Sequence, residues 1–160
     1  MGLHSKRIHD LVEDEYGFLW LGTRDGGLVK YDGYKFKSFK YDPVDSNSLA
    51  DDDIHSLFLD NQNTLWVGTI NTISIFDKTS EKFIHFNLKE HISTTKNILP
   101  HEIVQDSLDT LWIGTSYGIF QISPNNVKNF DEPQPNQIDK NSFNLTHYFT
   151  NPEKIKDPSN

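Results

Sequence analysis

The chain has 160 residues, 35% of them hydrophobic and 12% aromatic, with a formal net charge of −8 and no cysteine. That length allows one domain with a core, and the acidic balance argues against nucleic acid and against direct contact with anionic lipid. The lack of cysteine excludes disulfide scaffolds, thiolate metal sites and cysteine nucleophiles together.

The first residues, "MGLHSKRIHDL", lack the apolar stretch of a signal peptide, and no run is long enough to cross a bilayer. The chain therefore reads as cytosolic or as a segment of a longer protein. From residue 8 onward, short β-branched or apolar runs alternate with turn signals. "IHDLV" ends in "EDEYG", "FLWLGT" in "RDGG", "LVKYD" in "GY", and "FKSFKY" in "DPVDSNS". Four strands of about five residues, with turns at this spacing, predict an antiparallel β unit.

The unit then recurs. "LWLGT" at Leu19–Thr23 returns as "LWVGT" at Leu65–Thr69 and "LWIGT" at Leu111–Thr115, 46 residues apart each time. The quartets Asp14, Trp20, Gly22, Thr23, then Asp60, Trp66, Gly68, Thr69, then Asp106, Trp112, Gly114, Thr115 keep that period. A repeated four-stranded unit of this length is the mark of a β-propeller blade. In this reading the tryptophan is the wedge between blades, the glycine allows close approach, and the aspartate folds back on the turn's amides. The fold class is all-β, with three four-stranded antiparallel blades. Blade 1 spans about 5–42, blade 2 about 50–90 and blade 3 about 98–150, with an inserted loop over about 124–142. Phe143–Phe149 is the expected fourth strand of blade 3, and Val127–Phe130 is the alternative. Closed propellers usually need about four to eight blades, so three make an incomplete one. The ending "DPSN" echoes "DSNS" at Asp45–Ser48, as if a fourth unit followed.

The pattern D-x-x-x-x-L-W-[LVI]-G-T, followed by "GGLVKYD" and "FKSFKYDPVDSNSL", resembles the two-component regulator propeller repeat over roughly residues 2 to 123. The resemblance implies the N-terminal part of a periplasmic sensor in a bacterial hybrid two-component system. Such a parent would be a homodimer with further blades, would sense a ligand such as an oligosaccharide, and would signal to a histidine kinase through a phosphorelay. Two other classes stay open. One is a protein-interaction propeller; the other is a lyase-type propeller enzyme that draws catalytic groups from other blades. The segment itself shows no nucleophile with a base, no paired catalytic carboxylates and no phosphate loop. It is not expected to be an enzyme or to hold a cofactor.

Strand order sorts the loops into two sets. Tyr16 and Tyr34 fall at one end; Arg24, Asp25, Asn71, Tyr117 and Asp51–Asp53 fall at the other. The second set mixes aromatic and hydrogen-bonding groups, which suits a sugar, so Arg24, Asp25, Asn71 and Tyr117 are the candidate ligand-binding residues. With only Arg7 and Arg24 in the chain, no arginine cluster for phosphate is expected. "DDD" at Asp51–Asp53 lacks the spacing of a calcium loop and reads as a solvated linker. His9, His55 and His101 also keep the 46-residue spacing on the innermost strands. Inner strands of neighbouring blades are expected to hold these imidazoles too far apart for zinc, so no metal site is expected.

Overall fold

The computed structural model describes residues 5–124, 140 and 143–148. They form three separate four-stranded antiparallel sheets, each in simple meander order. Blade 1 contains β1 (Ile8–Glu13), β2 (Leu19–Thr23), β3 (Leu28–Tyr31) and β4 (Phe36–Phe39). Blade 2 contains β5 (Ile54–Leu59), β6 (Leu65–Thr69), β7 (Thr72–Asp77) and β8 (Lys82–Asn87), followed by a 3-10 turn at Leu88–His91. Blade 3 contains β9 (Pro100–Gln105), β10 (Leu111–Thr115), β11 (Gly118–Pro124) and β12 (Phe143–Tyr148). The all-β propeller class read from the repeat is thus the observed one. In blade 3, β12 pairs with β11 in a continuous register from Ile119↔Tyr148 to Pro124↔Phe143. Apart from Pro124 and Lys140, the inserted loop expected over 124–142, and the alternative strand at Val127–Phe130, lie outside the described residues.

The repeated aspartate and tryptophan make one hydrogen-bonded unit. The indole Nε1 of Trp20, Trp66 and Trp112 donates to Oδ2 of Asp14, Asp60 and Asp106, at 2.9 Å in all three blades. The other oxygen, Oδ1, accepts two turn amides in each blade: those of Tyr16 and Phe18, of Gln62 and Thr64, and of Leu108 and Thr110. The hairpin between the first and second strands needs a left-handed residue, supplied by Gly17, Asn63 and Asp109 with φ of 79°, 59° and 61°. Glycine, asparagine and aspartate are the residue types that adopt this conformation most readily. One carboxylate therefore holds the turn and aims the ring.

The rings then join the blades. Trp20 packs in a cluster with Leu57, Val67, Phe76 and Phe83 of blade 2, its ring 5.2 Å from that of Phe76. Trp66 does the same toward blade 3, with Ile103, Leu111, Ile113 and Phe143. Both are 1% exposed, which leaves almost the whole indole out of water. The glycine two residues on clears the path of the next blade. A Cβ at Gly22 would meet Ile54 at 2.7 Å, and one at Gly68 would meet Pro100 at 3.0 Å as well as Ser56. At Gly114 the nearest atoms belong to Glu102 of its own blade, at 4.0 Å. Trp112, correspondingly, is only half-buried, and Val104, Ile119 and Tyr148 around it are exposed.

Candidate functional site

The hairpins between second and third strands, and the linkers between blades, gather at one end of the three-blade arc. In blade 1 the hairpin Arg24–Gly27 is tied to that end from three sides. The Arg24 amide donates to the Arg7 carbonyl (3.1 Å), the Gly27 amide to the Asp52 carbonyl (3.2 Å), and the Ser5 hydroxyl to the Asp25 carboxylate. Gly27 has φ +71°, and a Cβ there would run into the Phe39 carbonyl, so only glycine fits.

Lys6, Arg7, Arg24 and Asp25 line one open hollow of about 510 Å³. Two arginines looked too few for an anion-reading cluster, but the fold brings both to one place with Lys6. Three cations face the single Asp25 carboxylate there, so the hollow is locally basic on an acidic chain.

Asn71 occupies the tight two-residue hairpin of blade 2 with φ +63°. Its Oδ1 accepts from the Ile98 amide (2.8 Å), its Nδ2 donates to Asn97 Oδ1 (3.3 Å), and its backbone exchanges bonds with Ile98 and Leu88. Its polar atoms are engaged in fastening the linker to blade 3. Tyr117 lies in the equivalent hairpin of blade 3 and lines a second hollow, of about 560 Å³, with Ile92 and Ser93–Lys96. Of the four candidates, Arg24 and Asp25 thus share one hollow, Tyr117 lines another, and Asn71 braces the linker next to that second hollow.

The triple aspartate is a set of internal ties rather than a solvated linker, and all three residues are partly buried. Asp51 Oδ1 accepts from the Asp53 amide (2.9 Å), and Asp52 Oδ1 accepts from the Tyr41 amide (2.8 Å). Asp53 reaches the inner strands. The expectation that His9 and His55 are too far apart to share a site is corrected there, since their ring centroids are 5.8 Å apart. The sequence hid the cause. Each first strand carries a register shift opposite the Gly-Thr pair of its second strand: between Ile8 and Asp10, between Ile54 and Ser56, and across Pro100–Glu102. The extra residue at each shift is His9, His55 or His101. A β-bulge re-aims a side chain in this way, a feature that period-2 reasoning does not contain.

Two repeats of this architecture match the two-component regulator propeller family, at residues 2–25 and 48–71. Over 49 residues, 31% of the chain, it is 45% identical to histidine kinase P4 of Formosa agariphila and spans only 4% of that protein. Among solved structures, it resembles the extracellular domains of two hybrid two component systems from B. thetaiotaomicron. One is 22% identical with TM-score 0.65, covering 93% of this chain and 18% of the other. The second is 20% identical with TM-score 0.56, covering 78% of this chain and 23% of the other. The chain thus spans about a fifth of the solved chains it resembles, and that likeness concerns the fold.

Proposed function

Taking the chain as a two-component regulator propeller repeat protein, we propose that it is a segment of the extracytoplasmic ligand-sensing propeller of a hybrid two-component sensor. It supplies three blades and a loop surface, and contributes no chemistry of its own. The observation that carries this reading is the recurring blade unit with its Asp–Trp bond, which coincides with the two matched repeats. A propeller alone is only a scaffold, so the sensing role rests on the relatives and on the loop end.

The ligand class is an oligosaccharide, met at that end by Arg24 and Asp25 in one hollow and by Tyr117 in the other. The basic hollow of Lys6, Arg7 and Arg24 favours a sugar bearing an acidic group, which guanidinium binds in bidentate fashion. Asn71 acts by positioning the neighbouring linker. The complete protein would work in the periplasm as a homodimer, with further blades closing the propeller. Ligand would shift the population of propeller arrangements, and that bias would reach a kinase and its phosphorelay.

The test is ligand response in the complete protein. Arg24→Ala with Tyr117→Ala is expected to reduce the oligosaccharide-induced phosphorylation signal at least about tenfold, the usual scale of a lost charged contact. An unchanged response would remove this end as the binding surface.

A further inference from the structure

A carboxylate lies between two imidazoles at the innermost edge of blades 1 and 2, and no hydrogen bond explains its place. Asp53 Oδ1 is 3.6 Å from His9 Nδ1, and Asp53 Oδ2 is 3.8 Å from His55 Nε2. Both separations exceed hydrogen-bond length. One ligand atom from each of the three residues can be chosen so that all lie within 4.8 Å of one another. In a tetrahedral zinc site with bonds of about 2.0–2.1 Å, neighbouring donor atoms sit about 3.4 Å apart. The two measured gaps, one to each carboxylate oxygen, are close to that separation, and the donor atoms of His9 and His55 lie within 4.8 Å.

A second observation concerns the donor atoms themselves. Asp53 Oδ1 and His55 Nε2 are both shut off from solvent, and neither has a hydrogen-bond partner. Buried polar atoms are seldom left unpaired, and here two orphans belong to one cluster.

From this geometry we infer that His9, Asp53 and His55 form a binding site for one divalent transition-metal ion of the zinc class, clasped between the inner strands of blades 1 and 2. Two imidazoles and one carboxylate suit zinc and its first-row neighbours rather than calcium or magnesium. Three protein donors leave a fourth position for water or a ligand group. His9 Nδ1 is 2.9 Å from the Ile54 carbonyl oxygen and donates to it. Coordination by His9 therefore uses Nε2 after a turn of the half-exposed ring, or Nδ1 after release of that bond. The β-bulges hold both histidines on inner strands, and Asp53 enters from the linker one residue before β5.

The test is zinc titration of the whole chain, stripped with chelator beforehand and followed by calorimetry and thermal melting. Cobalt substitution serves as an optical readout of the ligand set. The expected result is one zinc per chain, a melting temperature that rises with zinc but not with calcium, and cobalt bands typical of tetrahedral coordination. His55→Ala and Asp53→Asn are each expected to weaken zinc at least about tenfold, while His91→Ala, remote from the cluster, leaves it intact. His9→Gln changes an exposed side chain and serves as the variant least prone to misfolding; it too is expected to weaken zinc. No saturable binding to a chain that is folded by circular dichroism would overturn the site. So would binding that survives Asp53→Asn and His9→Gln alike.

Discussion

Asp14 shows how much one repeated carboxylate does. Its side chain is 1% exposed, and Lys78 of blade 2 approaches it at 3.7 Å. Burial alone would raise its pKa. The indole of Trp20, the amides of Phe18 and Tyr16, and the Lys78 ammonium outweigh that and hold it below the ordinary 3.8. A carboxyl depressed in the folded state stabilises the protein above its unfolded pKa, and loses that contribution as pH falls through the folded value. The stability gap between the parent chain and Asp14→Asn is therefore expected to be widest near neutrality and to shrink as the pH falls through the lowered folded pKa of Asp14. Urea titrations at several pH values measure it, and a gap independent of pH would contradict the assignment. The glycines give a sharper contrast. Gly68→Ala forces a methyl group against Ser56 and Pro100 and is expected to cost about 1–3 kcal/mol by overpacking. Gly114→Ala meets nothing closer than 4.0 Å and is expected to be near neutral in the same unfolding measurement.

At the scale of the blade, the tryptophans are equivalent in sequence but not in energy. Trp66→Ala removes a ring sealed between two blades and is expected to cost about 3–5 kcal/mol. Trp112→Ala removes a half-buried ring with Tyr148 beside it, and is expected to cost well under that in equilibrium denaturation. Equal losses would mean that Trp112 is covered in solution. The blade was legible in the sequence because its signals are local. "LWLGT" between "EDEYG" and "RDGG" gives strand and turns, and the 46-residue period gives the stacking. The Asp–Trp bond was not legible, since it joins residues six apart around a turn whose path only the structure traces. The bulges at His9 and His55 were hidden for a related reason. An inserted residue leaves the β-branched pattern intact while turning a side chain to a new direction. The loop end was legible as a place, through strand order. How its residues divide between hollows was not, because that depends on linkers such as the one Asn71 fastens.

For the whole molecule, the three blades form an arc with one sealed interface on each side of blade 2 and an unsealed face on blade 3. The face around Trp112 has Val104 at 49%, Tyr148 at 47% and Ile119 at 45% exposure, a patch matching the surfaces that Trp20 and Trp66 bury against their neighbours. Exposed apolar surface of this kind marks a contact, and under the proposed sensor reading its partner is a further blade of the same repeat. The sensor reading makes the same demand from another direction, since a ligand-sensing propeller needs a closed ring to hold its loop end rigid. The most direct measurement is to determine the coding sequence on both sides of this segment. The account predicts more 46-residue repeats downstream, then a membrane helix and a kinase, with an export leader upstream. A stop codon directly after Asn160, with no leader before Met1, would contradict it.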